Sequence, residues 1–192
     1  STHAMFRLNE VDFHHFSTWR EKLSKKASGY IEVDLLIESP LGDHANRFVS
    51  LMAHLLRDFD YVLVDLPQEL DSLVVKIMEQ SDVVYVLTDA ISDSLVQTQE
   101  MLKTLEESFK TTREHIRILT VETTAQEPLT LRQTEQLLNY PIFYQIAYEK
   151  ALAEAVPVQQ PFVLSDPDVP YSRAIRYLSR ELGEVLVGLA LG

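Results

Sequence analysis

Short apolar runs alternate along this chain with segments whose hydrophobic residues recur at helical spacing. The runs are YIEVDLLIE (30–38), YVLVD (61–65), VVYVL (83–87), IRILTV (116–121) and PIFYQI (141–146). Each has strand length and is rich in β-branched and aromatic residues. Several are apolar at nearly every position. A strand with one wet face alternates, whereas a strand covered on both faces does not, so the pattern predicts a parallel sheet between helices.

The intervening segments carry helical stripes. In DHANRFVSLMAHLLRD, residues Ala45, Phe48, Met52, Leu55 and Leu56 share a face. After Leu66-Pro67, a second stripe joins Leu70, Leu73, Val74, Ile77 and Met78. A longer helix from Ser92 to Phe109 turns Leu95, Leu102, Leu105 and Phe109 inward. Thr130 and Gln133 have the spacing of a capping box, which predicts a helix start ahead of Leu137 and Leu138. Asp168 and Pro170 offer N-cap and first-turn chemistry to a final helix. With no internal repeat and no linker, the pattern predicts a three-layer α/β fold, a mostly parallel sheet with helices on both faces. It is read as a single domain over residues 5–192. Ser1–Ala4, ahead of Met5, are set aside as the remnant of an expression tag.

Composition narrows the function classes. The chain has 192 residues and 46% hydrophobic content, enough for the core of one domain. No run approaches the ~20 apolar residues of a membrane span, and the opening lacks the apolar stretch of a signal peptide. Cysteine is absent, which rules out disulfides and thiolate metal sites, and a cytoplasmic protein is expected. Net charge is −12, from 29 acidic and 17 basic residues. Duplex binding needs clustered basic residues, and the densest stretch, WREKLSKK (19–26), reads as one face of a solvated helix, so no nucleic-acid partner is expected. His14 and His15 are adjacent and cannot share a helical face, so they read as surface residues. No G-x-S-x-G elbow or other nucleophile set is present.

The stretch FDYVLVDLPQELDSLVVKIMEQSDVVYVLTDA (59–90) resembles the MinD/ParA family of ATPases, which carry a deviant Walker A loop. It looks most like the CpaE/TadZ-like branch, associated with pilus assembly. In that family a strand ends in Asp, a small residue and Pro, where Asp65-Leu66-Pro67 stands here. The next family strand ends near a Thr and enters a long helix, as Thr88 does. The closing segment is similar too, with ALAEA, Pro161, Asp166-Pro167 and SRAIRYLSREL in the family's order. The resemblance spans residues 30–187 and implies a P-loop NTPase-like fold.

The departures bear on function. A phosphate cradle needs glycines, so that backbone N–H groups converge on the anion, and a lysine. None of the five glycines (Gly29, Gly42, Gly183, Gly188 and Gly192) lies in a G-x-x-x-x-G-K-[ST] context. Where the family commonly has a Gly after Asp-x-Pro, this chain has Gln68 and Glu69, and a carboxylate repels a triphosphate. Where the family commonly has an Asn that bonds the adenine, LTVETT places Glu122 or Thr123. Ala147 replaces a family Pro, and Gln160 a Gly. On the resemblance, the cofactor positions are Asp65 and Pro67, a vestigial Walker-B-like pair, with Thr88 and the degenerate base-recognition position Glu122.

Three readings follow. In the first the nucleotide site is lost, no residue is catalytic and no cofactor is held. The domain then acts as a homodimer or with a protein partner, in assembling or localising a cell-envelope machine such as a pilus. In the second the P-loop lies upstream and the chain is part of an active ATPase using ATP and Mg²⁺. In the third, strand-end carboxylates at the sheet's carboxyl edge (Asp65 and Asp89, with Glu122) hold Mg²⁺ weakly for an enzyme. The losses favour the first, in which Asp65 merely caps the helix that follows it. On the final helix Arg173, Arg176 and Arg180 oppose Ala174, Leu178, Leu182, Val185 and Leu189. Some family members lay such a helix on an anionic membrane, which would put the protein at the membrane's inner face. Glu181 and Glu184 dilute the basic side, so a core-covering helix is the favoured reading.

Overall fold

The computed structural model describes residues 2–7, 31–36, 44–57, 59, 61–109, 113–123, 129–154 and 162–191. The chain forms two compact units, Ser1–Ser81 and Asp82–Gly192.

In the first unit β1 (Thr2–Arg7) pairs in parallel with β2 (Ile31–Leu36), Thr2 opposite Ile31 and Arg7 opposite Leu36. β2 falls within the predicted run. β1 was not foreseen, and it includes Thr2–Ala4, the residues set aside as a tag remnant. Two helices follow, α1 (His44–Leu55) and α2 (Ser72–Gln80). Among the described side chains of α1, Phe48 and Leu51 are buried, whereas Leu56, just past its end, is 60% exposed. On α2 the buried face is Val74, Val75, Ile77 and Met78. The helix is opened by Asp71 in extended conformation, whose carboxylate accepts from the amides of Leu73 and Val74 at 2.9 and 2.8 Å. That satisfies two of the first-turn N–H groups that a helix leaves unpaired.

The predicted strand at 61–65 does not form. Residues 61–67 run as irregular chain, and Leu63 is 81% exposed. β-branched composition expresses a fit to a pleated, half-buried surface, and no strand among the described residues pairs with this segment to supply one.

The second unit is built on a three-stranded parallel sheet in the order β3 (Val84–Thr88), β4 (Ile116–Val121), β5 (Ile142–Ile146). The register sets Val84 opposite Ile116 and Thr88 opposite Thr120, and then Thr120 opposite Gln145. A shift between Ile118 and Leu119 interrupts the β4–β5 ladder. The helices are α3 (Ser92–Phe109), α4 (Leu131–Leu138), the short α5 (Lys150–Glu154) and α6 (Phe162–Ser165), and α7 (Pro170–Leu191). Parallel strands packed against helices make this an α/β fold, as the patterning predicts.

Side-chain contacts assign the layers. Thr98 of α3 meets Thr88, so α3 covers the face shared by Thr88 and Thr120. Its Leu95, Leu102 and Leu105 are buried to 1% exposure or less. Tyr177 of α7 stacks on Tyr144, ring centroids 4.9 Å apart, and Tyr144 shares the opposite face with its register partner Leu119. Successive strand residues point to opposite faces, so α3 and α7 lie on opposite sides of the sheet. Among the described residues no helix is long and apolar enough to cross a membrane.

The capping box is present in full. The amide of Gln133 donates to the Thr130 hydroxyl, and the Thr130 amide donates to the Gln133 side chain at 3.0 Å. Asn139 closes α4 in the left-handed conformation, φ 54°, where its short polar side chain is better tolerated than a branched one. Thr130→Ala removes one side of the box and should lower the unfolding free energy by about 1 kcal/mol. Thr130→Ser should lose only a fraction of that. Paired urea denaturation curves check both.

Candidate functional site

The carboxyl edge of the three-stranded sheet is where the sequence places its chemistry. Thr88 ends β3 and is 8% exposed. Its hydroxyl is hydrogen-bonded to that of Thr98 at 2.9 Å and lies 3.2 Å from the Asp89 carbonyl. Thr98 also reaches the Ser94 carbonyl at 2.8 Å. Asp89 is half-buried, and its Oδ1 accepts from the Ile91 amide at 3.3 Å, a short-range turn that leads into α3. Glu122 follows β4. Its amide donates to the Ile146 carbonyl at 2.9 Å, and its Oε2 accepts from the Tyr148 amide at 3.1 Å. The Leu129 amide donates to the Ala90 carbonyl at 3.0 Å, tying the approach to α4 to the same edge.

Thr88 and Glu122 share one edge, because Glu122 stands two residues beyond the register partner of Thr88. Asp65 and Pro67 lie in the first unit, exposed, on irregular chain. The expectation that Asp65 caps the next helix is corrected, because Asp71 holds that position with its two amide contacts. Ala147 is exposed just beyond β5, while Gln160 and Pro161 lie outside the described residues. Among the described residues no group of three or more His, Asp or Glu side chains is placed to hold a metal ion. At this edge one oxygen of Asp89 and one of Glu122 are engaged by backbone amides.

The structure also assembles a cluster that sequence patterning missed. At the far end of α3, Glu106 Oε1 accepts from Arg113 Nε at 2.5 Å and from the Tyr140 hydroxyl at 2.5 Å. Arg113 Nη1 donates to the Asn139 carbonyl at 3.2 Å, and the guanidinium sits 4.4 Å over the Tyr140 ring. Gln99 Nε2 donates to the Leu137 carbonyl at 2.6 Å, bracing α3 against α4. These groups border an open cavity of about 420 Å³. Glu106 takes a hydrogen bond from each of the other two side chains, which makes the cluster a clasp between α3 and the α4–β5 corner. No local signal announces it, because Glu106 and Tyr140 are 34 positions apart.

The hydrogen bond from Arg113, and then that from Tyr140, hold the Glu106 carboxyl below the usual carboxylate range. Burial, and then the bond to Glu106, push the Tyr140 phenol up. A carboxyl whose folded pKa is depressed contributes stability above its unfolded pKa and loses it as pH falls through the folded value. Stability should therefore decline on the acid side of the ordinary carboxylate range. In Glu106→Gln that acid limb should be shallower, the gap to the parent chain narrowing as pH drops. Melting temperatures collected from pH 7 downward check this.

The chain matches no protein-family model, and comparison with curated proteins finds no match either. Solved structures do match. A ParA family ATPase from Chlorobium tepidum TLS is similar with a TM-score of 0.67 and 20% identity, over 88% of this chain and 70% of that one. The MinD cell division protein of Aquifex aeolicus is similar with a TM-score of 0.64 and 16% identity, over 95% of this chain and 84% of that one. At these identities the likeness is one of fold. The fold is of the MinD/ParA type, within the P-loop NTPase-like architecture.

Proposed function

We propose that this is a nucleotide-independent MinD/ParA-like domain that works by protein–protein association. Its role is the assembly or localisation of a cell-envelope machine such as a pilus, as the CpaE/TadZ-like resemblance suggests. The observation that carries the proposal is Glu122. Where the resembling family has an Asn that bonds the base, this chain has a carboxylate engaged by the Tyr148 amide. An adenine arriving there would meet an acceptor-only group with one oxygen already held by a backbone amide. Thr88 points the same way, since its hydroxyl is buried against Thr98 rather than turned to solvent.

The competing reading is an ATPase whose glycine-rich loop lies upstream of these residues, and the likeness in fold to a ParA family ATPase speaks for it. The two differ in what this chain does with ATP. A phosphate cradle combines converging backbone donors with a lysine, and charge-assisted hydrogen bonds are worth ~1.5–3 kcal/mol each. Without three or four of them, affinity falls by more than ~4 kcal/mol, or about a thousandfold. Titration calorimetry of the chain with Mg-ATP should be flat to millimolar concentration. Saturable micromolar binding would refute the proposal. Binding that appears only when native upstream sequence is joined to the chain would establish the competing reading.

A further inference from the structure

The ladder between β4 and β5 carries one extra residue on β5. Ile142 stands opposite Ile118 and Tyr144 opposite Leu119, which leaves Phe143 unmatched between them. A bulge of this kind re-aims side chains. Here it turns two consecutive rings to the α7 side of the sheet. Tyr144 meets Tyr177, while Phe143 carries the guanidinium of Arg117, 4.4 Å from its ring centroid. Tyr85 of β3, the register partner of Arg117, completes the group with its ring 6.3 Å from that of Phe143.

Tyr85, Arg117 and Phe143 are half-buried, and two of them hold unused polar atoms. Arg117 Nε and the Tyr85 hydroxyl are closed off from solvent and have no hydrogen-bond partner among the described residues. Buried polar groups are nearly always paired, and a buried cation without a counter-charge is costly. Stacking on Phe143 uses the face of the guanidinium and leaves its in-plane N–H groups, the fork that matches a carboxylate. Burial foremost holds the Tyr85 phenol above its usual range, against the pull of Arg117, so it remains a neutral donor. The cover on this face stops short of β3. Leu119 on β4 is 5% exposed, whereas Leu87 opposite it is 63% exposed. The pair is therefore open to approach from the β3 side, across an apolar residue.

We propose that Arg117 and Tyr85 form a recognition site for one carboxylate, an Asp or Glu side chain of a partner protein that lies over Leu87. This rests on the association reading above and deepens it by naming the partner's chemistry. A carboxylate accepts from the guanidinium and from the phenol together, so one contact satisfies both unused donors. The open face suits a protein surface, because small-molecule sites are concave. Glu181 of α7, whose charge bears on the Tyr85 phenol, repels a phosphate dianion more than it repels a carboxylate. Tyr85 admits the carboxylate by a change of rotamer, an ordinary event at interfaces.

The probe is an acetylated, amidated peptide with a single Glu between leucines, titrated into the isotope-labelled full chain and followed by NMR. Saturable shifts are expected at the Arg117 Nε resonance and at the Tyr85 and Leu87 amides, and none with the same peptide carrying Gln. Arg117→Gln should weaken binding about tenfold or more, the worth of one charge-assisted hydrogen bond. Tyr85→Phe should weaken it less, and Glu181→Gln should strengthen it by relieving repulsion. Equal shifts with the Glu and Gln peptides, or none with either at millimolar concentration, overturn the site. Hexanoate that binds as tightly as the peptide overturns the protein partner, because the site then serves a small acid. Melts of Arg117→Gln, Glu181→Gln and the double variant give a further check. If the two losses are large and far from additive, Arg117 is already paired with Glu181 and the inference fails. A failed titration on a chain that self-associates and ignores Mg-ATP overturns this site alone. A monomeric chain that binds Mg-ATP overturns the association reading as well.

Discussion

The second unit depends on β4. It is the central strand of the described sheet, hydrogen-bonded on both edges and covered on both faces, and its Ile118 is fully buried. A strand in that position is mostly apolar, with its one charge, Arg117, laid over the Phe143 ring at 4.4 Å, and its alternate residues must satisfy two helical layers at once. Ile116, Ile118 and Thr120 serve the α3 side, and Leu119 the α7 side. Parallel pairing on both edges then fixes which residues end level with one another. That register, more than any local motif, brings Thr88, Glu122 and Tyr148 to one edge.

At that edge the polar groups are largely consumed by the protein itself. Thr88 bonds Thr98, Asp89 bonds the turn into α3, and Glu122 bonds the chain leaving β5. Buried or half-buried polar groups must find partners, and here they find them in backbone and neighbouring helices rather than facing a vacant pocket. The clasp of Glu106, Arg113 and Tyr140 follows the same logic at the opposite end of α3, where it joins that helix to the α4–β5 corner. The helix is thus held by hydroxyls to the sheet and by an ion pair with a phenol to the α4–β5 corner. Between them three leucines supply the apolar seal.

This arrangement bears on what a shared fold means for function. The likeness to a ParA family ATPase and to MinD lies in the path of the backbone. A nucleotide site within such a path is made by particular side chains and glycine turns, and those can change while the path is kept. Among its exposed charges the second unit carries Asp93, Glu100 and Glu107 on α3 and Arg173, Arg176 and Arg180 on α7.

The sequence by itself determined the local elements. Hydrophobic period located α1, α2 and α3, and apolar runs located β2 to β5. Thr130 and Gln133 announced the start of α4, because a capping box is a contact between residues three apart. The parallel character of the sheet was legible in strands apolar on nearly every residue. Residues 61–65 carried the same composition and formed no strand, since pairing depends on a neighbour that composition cannot specify. β1 was missed for the converse reason: THAMFR carries little strand signal, and only its partner β2 reveals it. The edge shared by Thr88 and Glu122 could be expected from strand ends. That Glu122 is engaged by Tyr148, and that Glu106, Arg113 and Tyr140 meet at all, was decided by tertiary structure alone. Such contacts join residues 26 and 34 positions apart, and only the folded register brings them within hydrogen-bonding reach.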